Sequence, residues 1–384
     1  MVRNEEELLT LEATAEAVKT VFMVGFALTF ILNLLLNGAM SQLWSVFNTL
    51  QIILAMPLLA VIMPANVLLV QRVVNEVINF QVVEKQTLKE TIYEPIFGSI
   101  NQNFSSLSKE EDESLLLSML MLLLGLAVLL LLIALLTFCK RKVLPRCCSC
   151  FQKLVNMVMA KLMFNSILRA LMQTYLQTTL AMWISLRATN LTVTTGQVDF
   201  ALFFLTIAFA VSFIVLSYKF LKRNHDNMRI PQFKSRFDSL YQNLDYYKKK
   251  ALLNTSFFLL RRILFAGVIV FCEDSLVAQV ILSDVLCTLL LIYLILVKPM
   301  MDMLNNCMQI INEIVVLVCI WLMFHNSDYV VNPETRYDLA YIFLYLVAID
   351  IALNITYLVV SITNKIIVAC RGFFARRKAR KDLD

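Results

Sequence analysis

Glycine and proline each occur only seven times in 384 residues, and histidine only twice. So few backbone-breaking residues leave little room for irregular structure, and helices are expected to dominate. The two histidines stand alone: there is no glycine-rich phosphate loop, no HExxH and no GxSxG run. Neither a catalytic arrangement nor a metal centre can be assembled, so the chain is not expected to be an enzyme. Charge is also scarce, at 16% of residues, against about 25% in soluble domains. The 59% hydrophobic content lies in long continuous runs. Continuous rather than alternating apolarity excludes a β-barrel. The cysteines form no disulfide framework, because Cys139, Cys147, Cys148, Cys150 and Cys370 sit beside basic clusters on the side expected to be cytosolic, where thiols stay reduced.

What remains is an all-α polytopic membrane protein. A transmembrane helix needs about 20 mostly apolar residues, and about nine stretches qualify: 18–40, 43–64, 114–138, 163–186, 199–221, 252–272, 275–297, 307–325 and 339–362. The first is too long for a signal peptide and follows an acidic head. The net charge of +6 is concentrated in a few segments. These are 140–161, 219–250 and the tail from Arg371 to Lys381, which the positive-inside rule puts in the cytosol. The opposite side then holds 65–113 and 187–198, with sequons at Asn103 and Asn190 as candidate glycosylation sites. Nine spans with a cytosolic C-terminus put the N-terminus outside. The whole chain reads as one transmembrane domain. Residues 18–64 are a helical hairpin, ended or kinked by Pro57 and Pro64. Residues 65–113 are an outer amphipathic helix and loop, 114–362 a seven-helix bundle and 363–384 a basic cytosolic tail. Within 222–250 a short amphipathic helix, over 241–250, is expected to lead into the sixth span.

The candidate site is polar and intramembrane. In 164–186, Asn165, Arg169, Gln173 and Gln177 recur every fourth residue and share one helix face. A buried arginine needs a partner or water, and acids in other spans offer themselves: Asp284, Glu313 and Asp350. Asn306, Gln309 and Glu313 fall on one face with Asn312 beside them, and Asn354 follows Asp350 by one turn. These faces are expected to converge, because none can face hydrocarbon. The result is either a hydrophilic path through the bundle or a static hydrogen-bonded network. Arg261, Arg262 and Lys298 read as headgroup anchors near the cytosolic face. Cys147, Cys148 and Cys150 read as candidate S-acylation sites or as reduced thiols.

Two blocks carry a resemblance. One is Asn165, Ile167, Arg169, Tyr175 and Leu176 in the pattern N-x-I-x-R-x-x-x-x-x-Y-L. The other runs over 257–324 as FFLLRRILFAGVIVF, Gln279, LLLIYLILVKPM and NNCMQIINEIVVL. With LWSVFNTLQIILAMPLL near the start, the chain resembles the multi-span membrane region of large ciliate surface proteins. More distantly, it is similar to the fungal TRP-like and flavin-carrier-like family. The resemblance implies a TRP-like cation channel or channel-like subunit in a plasma or ciliary membrane. The alternatives are a lipid or small-solute transporter or scramblase, and a non-conducting structural subunit. No cofactor is expected beyond bound lipid. The expected partners are membrane lipids, other membrane or extracellular subunits, or further copies in an oligomer, and no nucleic acid.

Overall fold

The computed structural model describes residues 40–59, 63–64, 66–71, 115–142, 164–188, 194–325 and 329–381, with isolated positions elsewhere. Among these residues the fold is all-helical. The α-helices are α1 (Met40–Ala55), α2 (Leu115–Lys142), α3 (Phe164–Ala188), α4 (Thr194–Arg223), α5 (Pro231–Tyr241), α6 (Asn254–Phe271), α7 (Leu276–Val297), α8 (Met303–His325) and α9 (Pro333–Lys381). Five stretches are long and apolar enough to cross a membrane: Gln197–Arg223, Lys249–Phe271, Leu276–Val297, Met303–His325 and Glu334–Val368. They make the chain an integral membrane protein by length and composition. The apolar stretches Trp44–Leu58 and Leu123–Phe138 are shorter. The expected first span and most of the outer helix and loop, with Asn103, lie outside the described residues. So do Asn190, Cys147, Cys148 and Cys150.

Local chemistry explains where the helices stop. Pro57 sits at the start of a one-turn 3-10 segment, Met56–Leu58, which ends α1. At 16 residues, α1 is about 24 Å long, less than the roughly 30 Å of a bilayer core. The side chain of Ser275 accepts from the Ala278 N–H at 3.3 Å, capping α7. Lys298, in the left-handed region at φ 46°, closes that helix, and Pro299 follows it.

The expected helix over 241–250 is corrected. The helix lies earlier, at α5, where Pro231 starts it. After Tyr241 the chain turns through Asn243, whose φ is 60°. It then pairs with the turn after α7: the Asp245 N–H donates to Pro299 O at 2.7 Å, and the Met301 N–H donates to Asn243 O at 2.8 Å. Backbone pairing with a distant turn outweighs the local amphipathic pattern of that decapeptide.

Helix α3 is the centre of the bundle and packs against α2, α4, α5 and α6. Its faces reach three apolar clusters. Leu176, Leu180 and Ile184 join the cluster that α1, α6, α8 and α9 share. Tyr175, Ala181 and Met182 meet Phe203 and Leu259, and Leu168 and Met172 pack against Leu221, Met228 and Leu240. No glycine or proline interrupts α3. Thr174 and Thr179 donate their hydroxyls to the carbonyls of Ala170 and Tyr175, each at 2.9 Å. Back-bonding of this kind lets a hydroxyl sit inside an apolar bundle. Helix α9 is 49 residues long, about 73 Å, so the basic tail is its helical extension.

Candidate functional site

One end of the bundle holds a polar cavity of about 160 Å³, partly open to solvent. Its walls come from the first turns of α1, the first half of α3, the starts of α6 and α8, and the last turns of α7. The C-terminal end of α5 and Gln242 cover it. Of the residues singled out from sequence, Arg169, Gln173, Arg261, Gln309, Asn312 and Glu313 line it.

Arg169 donates to the Gln242 side-chain oxygen, and its guanidinium lies 5.1 Å from the centre of the Trp44 ring. None of the three acids expected to pair with it does so. Glu313 instead forms an ion pair with Arg261, whose side chain is 6% exposed. Asp284 faces away from the cavity and accepts from the Trp321 indole N–H at 3.1 Å. Asp350 is 0% exposed and belongs to a second polar group beside the cavity. There Asn312 and Asn354 exchange side-chain hydrogen bonds at 3.0 and 3.3 Å, and Asn354 donates to Asp350 O at 2.8 Å. The mismatch has a simple cause. Matching polar positions on separate helices requires their relative depth, and sequence spacing gives only the face.

The anchoring role expected of Arg261 and Arg262 is likewise corrected. Both are buried, Arg262 fully. Arg262 donates to Met172 O at 2.9 Å, to Asn48 Oδ1 at 3.1 Å and to Gln51 Oε1 at 2.7 Å. Its guanidinium also stacks 4.2 Å from the centre of the Phe258 ring. Adjacent helix positions lie about 100° apart, so the two arginines serve different neighbours: Arg261 meets α8, and Arg262 meets α1 and α3. Carbonyls, amides and an aromatic face replace the phosphates that snorkelling would have reached. Lys298 is exposed, as its place at a helix end requires.

The remaining residues divide. Asn165 fastens α5 to α3, accepting from the Ser239 N–H at 2.6 Å while Ser239 Oγ donates to Asn165 O at 3.0 Å. Asn306 staples the turn before α8, accepting from the Met300 N–H and donating to Met300 O, both at 2.9 Å. Gln177 is exposed and lies away from the cavity. The polar ribbon of α3 therefore serves three ends: roof fastening, cavity wall and outer surface.

Scans against family models, curated proteins and solved structures matched nothing.

Sequence reasoning missed the contribution of α1. Ser45, Asn48 and Thr49 line the cavity. Gln51 donates to Gln173 O at 3.1 Å, and Gln173 donates to Asn48 Oδ1 at 3.2 Å. The signal was present: Ser45, Asn48 and Thr49 fall at i, i+3 and i+4 in an otherwise apolar run, the same kind of stripe that drew attention to α3. The roof also carries an acid. Burial holds the Asp238 carboxyl above the ordinary carboxylate range, against the opposing pull of Lys234 and Arg169.

Proposed function

We propose that this chain is a polytopic membrane protein that takes a small polar solute or a lipid headgroup into the cavity, as a lipid or small-solute transporter or scramblase would. The charge on the cavity wall carries the reading. Two guanidiniums, Arg169 and Arg261, stand against one carboxylate, Glu313, and that carboxylate is held by Arg261. A cation path presents carboxylates or carbonyls to its lumen. Here one acid is paired, one is fully buried and one faces outward.

The second reading, a TRP-like cation channel, has its own support. Asn312 lies on the cavity wall and hydrogen-bonds to Asn354, which bonds Asp350. That gives a polar line leading from the cavity into the bundle. Both readings adopt nine spans, an outer N-terminus, a cytosolic C-terminus and a plasma or ciliary membrane. The alternation of the spans that both readings use has support in the packing. The ends of α4 and α7, the starts of α3, α6 and α8, and α5 gather around one end of the bundle. These are the ends the basic residues mark as cytosolic.

The test is reconstitution of the full chain in liposomes. The first reading expects labelled lipid to become accessible to dithionite, and Arg169→Gln to slow it. The channel expects current whose selectivity changes in Glu313→Gln. A folded chain that yields neither lipid movement, solute flux nor current leaves a structural subunit, and both readings fail.

A further inference from the structure

We infer that the cavity is an oxyanion site, taking the phosphate or carboxylate of its ligand between Arg169 and Arg261. This rests on the solute-binding reading above and adds the chemistry of the ligand. A guanidinium carries five N–H donors in a planar fork. Among the described residues Arg169 makes one hydrogen bond, to Gln242, and meets no carboxylate at ion-pair distance. Arg261 commits Nη1 to Glu313, while its buried Nε–H has no acceptor among the described residues. Buried donors are costly to leave unmade, and this one belongs to a side chain on the cavity wall.

Several acceptors around the cavity are already engaged. Asn48 Oδ1 takes bonds from Gln173 and Arg262, Gln242 Oε1 from Arg169, and a Glu313 oxygen from Arg261. Donors remain on the wall: the Asn48 amide nitrogen, the Gln309 amide and the two guanidiniums. The positive charge is the larger share, with two guanidiniums against the Glu313 carboxylate. An oxyanion meets N–H groups from α1, α3, α6 and α8, and fork geometry favours bidentate capture of phosphate or carboxylate. The flanking rings of Trp44 and Phe258 offer apolar surface to the rest of the ligand. The anion is either free or carried on a lipid headgroup, and the chemistry of capture is the same.

The test is equilibrium binding to the full chain in neutral detergent, with inorganic phosphate, dioctanoyl phosphatidate and dioctanoylglycerol as probes. Saturable binding of phosphate or phosphatidate, with dioctanoylglycerol at least tenfold weaker, is expected. Phosphatidate binding much tighter than phosphate assigns the anion to a lipid, and similar affinities assign it to a free solute. Arg169→Gln is expected to weaken binding at least tenfold, and Arg169→Lys to recover part of it. Gln309→Glu, which disturbs no hydrogen bond among the described residues, should abolish binding by placing a carboxylate on the wall. Asp284→Asn, on the outer face, should bind as the parent does. Dioctanoylglycerol binding as well as phosphatidate, or unchanged phosphate and phosphatidate binding in Gln309→Glu, overturns the inference. So does the absence of binding by any probe. Lipid movement or solute flux by the parent in liposomes would still leave the broader cavity reading standing in each of those cases.

Discussion

Removing the Glu313 carboxylate leaves the Arg261 guanidinium 6% exposed without its counter-charge. The Cys287 side chain close to it is buried and offers no compensation. Breaking a buried pair from one side costs about 3–5 kcal/mol, because the surviving charge keeps its desolvation penalty. Glu313→Gln is therefore expected to lose about that much stability, and Arg261→Gln a similar amount. The double variant should lose well under the sum, with a coupling of about 1–3 kcal/mol. Unfolding in mixed micelles by added SDS, run as a double-mutant cycle, measures all three. A buried pair is weakly screened, so the losses should barely change between low and high salt. Replacing both residues by apolar ones, as in Arg261→Met with Glu313→Leu, is expected to be neutral or stabilising. If Glu313→Gln lies within about 0.5 kcal/mol of the parent, or the single losses simply add, the pair does not hold the α6–α8 contact as described.

Arg262→Lys keeps the charge but loses the fork that reaches Met172, Asn48 and Gln51. Each bond lost is worth about 1.5–3 kcal/mol, and the same SDS titration should report a loss of at least one such bond. Asn354→Ala removes its bonds to Asn312 and Asp350, and a loss of about 1–3 kcal/mol is expected from the same measurement. Asp238 has a raised folded pKa. Its stabilising contribution is therefore full below the ordinary carboxylate value and fades as pH rises through the raised one. Asp238→Asn should flatten the fall in thermal stability over that window and leave neutral-pH stability equal or higher; a steeper fall would contradict the burial of that carboxyl.

The helices were legible because apolar length is a one-dimensional property. The stretches expected at 199–221, 252–272, 275–297 and 307–325 coincide with membrane-length helices to within a few residues. The polar face of α3 was legible too, since Arg169 and Gln173 do share a wall. Partner choice was not. Glu313 is one of three acids offered to Arg169 yet pairs with Arg261, because facing positions depend on how deep each helix lies beside the next. Arg261 and Arg262 read as headgroup anchors, although a helix turns adjacent residues toward different neighbours and here both neighbours are protein. The stripe of Ser45, Asn48 and Thr49 was overlooked because it carries no charge. The turn at 242–248 is not legible as such, because two of its backbone hydrogen bonds go to residues more than fifty positions away.

The backbone pairing between 243–245 and 299–301 fixes one edge of the segment that covers the cavity. Two main-chain hydrogen bonds, with Lys248 Nζ donating to Lys298 O at 3.3 Å, fasten the segment after α5 to the α7–α8 turn along one edge. Main-chain bonds do not depend on which side chains are present, so substitution leaves that edge shut. On the α3 side the roof is held by the Ser239 N–H and hydroxyl to Asn165 and by Arg169 to Gln242 beside Trp44. The roof is thus held on both sides, by main-chain bonds that side-chain substitution does not remove on one and by side-chain bonds that a single substitution can remove on the other.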